Sequence, residues 1–289
     1  MRWLVTGAGG MLGHDVLTEL RARGEPVTGA GHDTLDITEQ GSVERAFTEH
    51  RPDVVVNCAA WTAVDDAEQD EAAALRVNGD GPRLLARACA AHGARLIQIS
   101  TDYVFSGQSR TTPYPEDHPP APRTAYGRTK LAGELAVREE LPDASVVLRT
   151  AWLYGVHGRN FVRTMIGLEA DRPTVDVVAD QRGQPTWSAD VAALVADLGP
   201  RDGVNGVFHA TSSGETTWYG LAREVFGLLG ADPDRVRPTD SAAHPRPAPR
   251  PEYSALAHGR WQSIGRPPPR DWRTALHEAL PRIRKESPS

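Results

Sequence analysis

The sequence predicts an α/β fold, a doubly wound parallel sheet with a smaller C-terminal lobe. Three observations predict it. Short apolar segments alternate with amphipathic ones through the first 210 residues. The apolar segments are nearly continuous in valine, isoleucine and leucine, which is typical of parallel strands covered by helices on both faces. A glycine-rich turn joins the first apolar segment to the first amphipathic one.

The predicted elements follow one another in a β–α rhythm. The strands are RWLV at 2–5, PVTGA at 26–30, DVVVN at 53–57, RLIQIS at 95–100 and SVVLRT at 145–150. The helices between them begin at Met11 and cover 41–50, 70–92 and 125–140. Because parallel strands need a crossover connection, usually a helix, this rhythm indicates a doubly wound sheet.

The pattern loosens after Thr150, which sets the predicted domain organisation. We predict a first domain over 1–150, a lobe formed mainly by 151–280 and a frayed tail over 281–289, with strands near 174–178 and 206–210 rejoining the sheet. The proline-rich stretch 233–269 carries Tyr253, Leu256 and Trp261. We therefore expect an ordered, loop-rich wall there rather than a disordered linker.

Composition limits the classes of partner and site. The net charge of -6 argues against a nucleic-acid partner. No apolar run approaches the roughly 20 residues of a membrane span, and the N-terminal sequence lacks a signal-peptide pattern, so we expect a cytoplasmic protein with no membrane contact. Cys58 and Cys89 lack metal-ligand spacing and sit in apolar surroundings, so both are interpreted as packing residues.

A GxxGxxG pattern stands between the first strand and the first helix, at Gly7, Gly10 and Gly13. Glycines allow the tight turn and the close approach of a pyrophosphate, while the helix N-terminus, at Met11 and Leu12, offers free N–H groups. An ordinary glycine-rich turn is the alternative. The context favours a Rossmann-type dinucleotide-binding domain over 1–150, followed by a substrate-binding lobe.

Further residues are predicted to contact the cofactor, whose type stays open between NADPH and NADH. The second strand is followed neither by an immediate acidic residue for a ribose hydroxyl nor by an arginine for a 2′-phosphate. Asp36 and Ile37 are placed to flank an adenine, although Asp36 can equally cap the next helix. The third strand ends in small residues that leave room for a ribose or simply ease packing: Cys58, Ala59 and Ala60.

The segment AYGRTKLAGE places Tyr126 four residues before Lys130, in a chain whose only other lysine is Lys285. At this spacing both side chains share one helix face. A phenol can donate a proton to a carbonyl that receives hydride, and we expect the nearby ammonium to lower the phenol pKa and to hold the nicotinamide ribose. Thr101, at the end of the fourth strand, is predicted to orient the carbonyl oxygen.

Each of these three residues has an ordinary structural alternative. Tyr126 can be half-buried packing, Lys130 a solvated helix charge, and Thr101 a residue that caps the loop after its strand. Their coincidence behind a dinucleotide-binding loop favours the catalytic interpretation of all three.

The TGxxGxxG turn, the serine or threonine at a strand end and the YxxxK pair resemble the extended short-chain dehydrogenase/reductase superfamily. The resemblance implies the roles just given and adds Asn78 as a water-relaying fourth member. More narrowly, the chain is similar to the dTDP-4-dehydrorhamnose reductase family over nearly its whole length, through RPDVVVNCAAWTAVDDAE, STDYVF, AYGRTKLAGE, RTAWLYG, NFV, DQRGQPT, SGETTWY and RPEYS.

This resemblance implies reduction of the 4-keto group of dTDP-4-dehydro-β-L-rhamnose by NADPH or NADH, which gives dTDP-L-rhamnose. It implies a hexose pocket lined by Thr62, Val64, Asp102, Tyr103 and Trp152. It also makes Asn160, Gln184 and Arg250 candidate contacts to the nucleotide end. An indole face suits the apolar side of a deoxysugar, and an arginine suits a phosphate, so Trp152 and Arg250 also have a physical rationale.

The sequence departs from the family at one point. Some members are described as dimers bridged by magnesium through acidic side chains, whereas here His14 and Asp15 follow the glycine turn and only Asp190 stands in the WSADV segment. We therefore predict no metal site, and a monomer and a homodimer both remain open.

Other functions were weighed on particular residues. A 4,6-dehydratase is expected to carry a glutamate where this chain has Tyr103, and an epimerase-reductase a Cys–His pair, for which Cys58 is on the wrong strand. A 4-ketoreductase for a related dTDP-6-deoxyhexose, such as one forming dihydrostreptose, remains open. So does a non-catalytic NADP-binding regulatory subunit, which would not require the phenol of Tyr126.

Overall fold

The computed structural model describes residues 1–108 and 111–285. Within them the strands are β1 (Trp3–Thr6), β2 (Val27–Ala30), β3 (Val54–Asn57), β4 (Arg95–Thr101), β5 (Ser145–Thr150), β6 (Leu153–Tyr154), β7 (Val175–Val178), β8 (Arg182–Gly183), β9 (Thr186–Trp187), β10 (Gly206–His209), β11 (Thr216–Thr217) and β12 (Val236–Thr239).

The α-helices alternate with these strands in the first half of the chain. They are α1 (Met11–Ala22), α2 (Gln40–His50), α3 (Val64–Ala67), α4 (Glu71–Leu75), α5 (Gly81–His92), α6 (Ala125–Glu140), α7 (Phe161–Asp171), α8 (Ser188–Leu198), α9 (Trp218–Leu228), α10 (Gly259–Ser263) and α11 (Trp272–Lys285). No helix within 1–108 and 111–285 is both long and apolar enough to cross a membrane.

Six parallel strands form the central sheet in the order β10-β5-β4-β3-β1-β2. From β1 the chain winds outward to β2 and then returns to β3 on the other side of β1. Ligands of such sheets bind outside the carboxyl ends of the strands, at this reversal of strand order. The topology therefore directs the site to the ends of β1 and β3.

Apolar side chains fill both faces of the sheet. On one face, Trp3 and Val5 pack with Val16 of α1 and Val191 of α8. On the other face, a separate cluster joins Leu4 and Val55 to α2 and α5. The nearly continuous apolar strands of the sequence thus correspond to strands buried on two sides.

The lobe has a hydrophobic core of its own. One strand that we expected in the central sheet belongs to this lobe. The strand near 174–178 does not rejoin the sheet, because β7 pairs in parallel with β12 and Val177 packs with Val236 and Phe226 in the lobe core. The strand near 206–210 lies beside β5 at the sheet edge as β10. A boundary near residue 150 remains a prediction.

Two helical segments differ from the predicted ones. The helix expected over 70–92 is helical throughout, but a π-helical turn, Arg76–Asp80, separates α4 from α5. The predicted frayed tail is wrong for 281–285, which are the last residues of α11, where Ile283 is buried in the lobe core. Residues 286–289 lie outside the described part of the chain.

Candidate active site

A cleft of about 1160 Å³ opens at the carboxyl ends of β1, β3, β4 and β5, between the sheet and the lobe. The glycine turn after β1 forms its floor at one end, and Arg250 and Pro251 of the proline-rich stretch close it from the lobe side. The expected loop-rich wall is thus ordered and lines the cleft. A cavity of this size, at the reversal of strand order, is where a doubly wound sheet binds its ligands.

The glycine turn has a backbone that only glycine permits. Gly7 has φ of +62°, and a Cβ on it would lie 2.5 Å from the backbone nitrogen of Ala59. A Cβ on Gly13 would lie 2.3 Å from the carbonyl oxygen of Gly7. Gly10, at the N-cap of α1, gives no side-chain cap, and the first turn holds no acidic residue. The N-terminal N–H groups of α1 thus remain available to an anion, and the cradle fits a dinucleotide pyrophosphate.

The residues predicted to contact the rest of a cofactor all line the cleft. They are Met11, Leu12, Asp36, Ile37, Cys58, Ala59 and Ala60. Asp36 is not the cap of α2, which begins at Gln40 after Glu39. Its carboxylate accepts hydrogen bonds from the hydroxyl and backbone N–H of Thr38, at 2.7 and 2.9 Å, and these bonds lower its pKa. Burial raises the pKa of the Cys58 thiol to about 12, which leaves it an uncharged wall residue.

Helix α6 carries Tyr126 and Lys130 into the cleft. The helix begins where it does because Thr124 accepts a hydrogen bond from the backbone N–H of Gly127 at 3.0 Å, an N-cap that satisfies one free donor. Thr101 ends β4 on the same side of the sheet, and the ring of Tyr103 meets the ring of Tyr126 edge-on at 5.5 Å. The structure therefore brings the three predicted catalytic side chains into one cavity.

The electrostatics of Tyr126 differ from our expectation. Burial raises the pKa of Tyr126 to about 12, and the Asp102 charge adds to this, whereas a hydrogen bond with Thr101 lowers it. The lowering expected from Lys130 is not among these effects: Nζ of Lys130 is buried and donates its hydrogen bond to the carbonyl oxygen of Ile99, at 2.7 Å. Tyr126 is consequently a protonated phenol at neutral pH, suited to donate a proton.

Lys130 itself is held in a low-dielectric position. Burial lowers its pKa to about 8, and the carboxylate of Glu134, one helical turn further on, opposes that change. Glu134 in turn accepts hydrogen bonds from Arg149, at 2.9 and 2.6 Å, and from Ser100. This buried cluster of Ser100, Glu134 and Arg149 behind the lysine was not predicted, although Glu134 ends the AYGRTKLAGE segment.

Asp102 follows Thr101 directly and is a buried carboxyl in the cleft wall. The hydroxyl of Thr101 donates to Oδ1 of Asp102 at 3.0 Å. Burial raises the pKa of Asp102 to about 6, against the hydrogen bonds from Ser254 and Thr101 that lower it. Burial also raises the pKa of Tyr103. Thr62 and Val64, the other predicted hexose contacts, line the cleft too.

Asn78 is not among the residues that line the cleft. It lies in the π-helical turn, and its Oδ1 accepts from the backbone N–H of Trp61 at 2.9 Å. Its Nδ2 donates to the Trp61 carbonyl oxygen and to the hydroxyl of Thr129, at 3.1 and 3.2 Å. The amide thus holds the loop after β3 against α6, and the role of a relay remains a prediction.

Two of the three candidate nucleotide contacts, Asn160 and Gln184, do not line the cleft and have hydrogen-bond partners within the chain. Their contact with a nucleotide remains a prediction. Asn160 caps α7 by accepting from the N–H of Arg163, and it also donates to the Gly155 carbonyl oxygen. Gln184 is buried away from the cleft against the backbone of Leu256 and the hydroxyl of Thr211. The contacts of Asn160 are local, whereas those of Gln184 join segments that are far apart in the sequence and that no local pattern predicts.

Arg250 does line the cleft, but its guanidinium is paired. It donates to both oxygens of Asp65 on α3, at 2.9 and 2.8 Å, across 185 residues. This bidentate pair links the sheet side of the cleft to the lobe. Hydrogen bonds from Arg250 lower the pKa of Asp65.

Trp152 lines the cleft in a strained backbone conformation with φ of +47°. Such a conformation costs about 1–3 kcal/mol for a non-glycine residue and is retained where the surroundings impose it. Cleft residues that the sequence did not single out include Trp61, Arg159, Gln181 and Trp218. Three of them lie within segments that carried the resemblance: Trp61 in RPDVVVNCAAWTAVDDAE, Gln181 in DQRGQPT and Trp218 in SGETTWY.

The acidic residues considered for a metal bridge have partners within the chain. Asp15 accepts a hydrogen bond from the hydroxyl of Ser188, and Asp190 forms a bidentate pair with Arg270, at 2.9 and 2.8 Å. Across 1–108 and 111–285 no group of three or more His, Cys, Asp or Glu side chains is arranged to hold a metal ion.

Comparison with known proteins assigns the family. The model of the RmlD substrate binding domain matches residues 1–285. The chain is 58% identical to a dTDP-4-dehydrorhamnose reductase of Streptomyces griseus, over 98% of this chain and 94% of the relative. It is 59% identical to a probable dTDP-4,6-dihydroxy-2-methyloxan-3-one 4-ketoreductase of Streptomyces antibioticus, over 98% and 96%.

Solved structures agree with this assignment. A dTDP-4-dehydrorhamnose reductase of Clostridium acetobutylicum superposes with a TM-score of 0.94 at 40% identity, covering 98% of this chain and 100% of that one. The Bacillus anthracis dTDP-4-dehydrorhamnose reductase, solved in complex with NADP, gives 0.93 at 36% identity, with 96% and 98% covered. The chain therefore belongs to the RmlD substrate binding domain family, alongside these dTDP-4-dehydrorhamnose reductases.

Proposed function

We propose that the chain reduces the 4-keto group of dTDP-4-dehydro-β-L-rhamnose with NADPH or NADH and gives dTDP-L-rhamnose. One observation carries the chemistry: the phenol of Tyr126, protonated at neutral pH, lines the same cavity as Thr101, Lys130 and the glycine turn. The relatives named dTDP-4-dehydrorhamnose reductase, at up to 58% identity over nearly the full chain, support the substrate.

The bound nicotinamide supplies the hydride that the keto carbon accepts. Tyr126 then donates its phenolic proton to the carbonyl oxygen as negative charge develops there. The hydroxyl of Thr101, anchored by Asp102, orients that oxygen beside the phenol. Lys130 would hold the nicotinamide ribose, and the N–H groups at the start of α1 would hold the cofactor pyrophosphate.

A second candidate has specific support. A relative in Streptomyces niveus, 54% identical over 97% of this chain, is named a dTDP-4-keto-6-deoxy-D-glucose reductase. Together with the Streptomyces antibioticus relative it favours a 4-ketoreductase for a related dTDP-6-deoxyhexose. We expect a cytoplasmic monomer or homodimer in either case, since nucleotide-linked sugars and reduced nicotinamides are cytoplasmic metabolites.

The test follows cofactor oxidation by purified protein with NADPH or NADH and dTDP-4-dehydrorhamnose. We expect turnover, and in Tyr126→Phe a loss of roughly 10²- to 10⁴-fold in kcat with cofactor affinity retained. The matched control is Tyr219→Phe, a tyrosine of the lobe core outside the cleft, which should keep full activity.

One further substrate separates the two candidates. Faster turnover of dTDP-4-keto-6-deoxy-D-glucose than of the rhamnose precursor would favour the second candidate. Binding of cofactor without turnover of either sugar would contradict both and favour a regulatory subunit.

A further inference from the structure

Trp152 is held between two neighbours at the lobe end of the cleft. Its indole ring stacks on that of Trp218, with centroids 3.7 Å apart and planes inclined by 7°. A Cβ built on Gly183 would lie 2.6 Å from Cε2, 2.7 Å from Cζ2 and 2.8 Å from Nε1 of the same indole. We name Trp152, Trp218 and Gly183 the indole sandwich.

The two neighbours occupy opposite faces of Trp152. A point in the ring plane beside Cε2 would lie closer to Cζ2 and Nε1 than to Cε2 itself. The Gly183 position is closest to Cε2, so it lies above the ring, near the Cζ2–Nε1 edge. Trp218 already covers one face at 3.7 Å, which leaves no room for the Gly183 backbone on that side. Trp152 therefore offers a sugar only its edge and the uncovered part of the Gly183 face.

The partners of Trp218 make the sandwich rigid. Nε1 of Trp218 donates to Gln181 at 3.1 Å, and Nε2 of Gln181 donates to the hydroxyl of Ser241 at 2.8 Å. Ser241 donates in turn to both oxygens of Asp180 at 2.8 Å. This chain of hydrogen bonds ties the outer indole, that of Trp218, to the lobe. The inner indole, that of Trp152, extends from a backbone held in the left-handed region, with φ of +47°.

We propose that Trp218 is a positioning residue for the hexose: together with Gly183 it fixes the plane and depth of the Trp152 indole and so sets which sugar ring the cleft accepts. The inference rests on the proposed function, which makes Trp152 a hexose contact. Trp218 acts through Trp152. A smaller residue at position 218 would let the Trp152 indole tilt. A larger residue at position 183 would displace the same indole into the cleft.

Binding of stable nucleotides tests this separately from turnover. Dissociation constants are measured by calorimetry for dTDP-glucose and for dTDP, in the NADP-bound protein. We expect Trp218→Leu to weaken dTDP-glucose roughly three- to tenfold, the size of an aromatic pair interaction, and to leave dTDP unchanged. Trp218→Phe should lose less, because it keeps a stacked ring.

A double-mutant cycle decides whether Trp218 acts through Trp152. In the Trp152→Leu background, Trp218→Leu should weaken dTDP-glucose no further, because the indole that it positions is absent. Gly183→Ala should weaken dTDP-glucose at least as much as Trp218→Leu. Tyr219→Leu, on the same helix but outside the cleft, is the matched control and should change neither constant.

Circular dichroism of the coupled indoles checks the sandwich itself, since two stacked rings give a paired band that either tryptophan variant should abolish. The proposal would be overturned if Trp152→Leu and Trp218→Leu weakened dTDP-glucose binding independently, so that their effects multiplied in the double variant. It would also be overturned if Trp218→Leu lost the paired band but kept an unchanged dissociation constant for dTDP-glucose. Failure of the proposed function would appear differently, as no turnover by the unmodified protein with the binding pattern intact.

Discussion

The two walls of the cleft are built in different ways. The sheet wall takes its residues from successive strand ends and helix starts, so Gly7, Ala59, Thr101 and Tyr126 meet because parallel strands end at one edge. The lobe wall takes its residues from distant segments joined by side-chain contacts, such as Trp152 with Trp218. In the sheet, the order of the repeated β–α units along the chain thus determines where the site residues lie. In the lobe, packing between distant segments determines it.

The strongest test of the sheet wall is Gly13→Ala. The added Cβ would meet the Gly7 carbonyl oxygen at 2.3 Å, so the glycine turn must move. We expect kcat/KM to fall roughly a hundredfold, as when a reacting group is misplaced by about 1 Å, with a loss of about 1–3 kcal/mol in the free energy of unfolding. Cofactor titration and urea denaturation measure the two effects.

The control for that change is Gly167→Ala on α7, where an added Cβ meets nothing within 4 Å. It should keep activity and gain about 0.5–1 kcal/mol in stability, because alanine favours a helix interior. A Gly13→Ala protein with full activity would show that the turn does not hold the cofactor.

The next test concerns the buried pair behind Lys130. Glu134→Leu leaves the guanidinium of Arg149, whose side chain is 3% exposed, without its carboxylate. We expect a loss of about 3–5 kcal/mol in the free energy of unfolding, measured by urea denaturation. Glu71→Leu, which breaks the exposed pair with Arg128, should change it by less than about 1 kcal/mol, and equal losses would contradict this difference.

Asp102, in the sheet wall, allows a test through the pH dependence of stability. Its pKa is about 6 in the folded chain against an ordinary 3.8, so the folded state holds its proton more tightly. The stability that this group contributes is present below pH 3.8 and is lost as pH rises through 6. Asp102→Asn lacks this titration, so its own stability should not fall over this range. The free energy of unfolding of the variant, minus that of the unmodified protein, should therefore increase by up to about 3 kcal/mol between pH 3.8 and pH 6. A difference independent of pH in urea titrations would contradict the burial effect.

The smallest effect is expected in the lobe, at Asn160, the N-cap of α7. Asn160→Ala removes the N-cap of α7 and should cost about 0.5–2 kcal/mol in thermal or urea denaturation, with KM unchanged. Asn160→Ser keeps a capping hydroxyl and should restore most of the stability. If Asn160→Ala instead raised the KM for the nucleotide sugar and left stability unchanged, Asn160 would be a nucleotide contact rather than only an N-cap.

The sequence located most of the sheet wall and little of the lobe wall. The order of strands and helices placed the glycine turn, Thr101, Tyr126 and Lys130, because each follows from a local pattern. Burial decided what the pattern could not: the pKa of Tyr126 rises where the nearby lysine alone predicts a fall. In the lobe, the hydrogen bond from Gln184 to the Leu256 backbone could not be predicted, since a contact across 72 residues leaves no local signal.

The scarcity of lysine has a practical consequence. Lys130 is 4% exposed in the cleft, and Lys285, at the end of α11, is exposed. An amine-directed reagent can therefore reach the inner ammonium only through the cleft mouth, while the outer one reacts freely and serves as an internal reference. The mass added to the peptide that contains Lys130, measured after digestion, would report whether the cleft is open or occupied by a ligand.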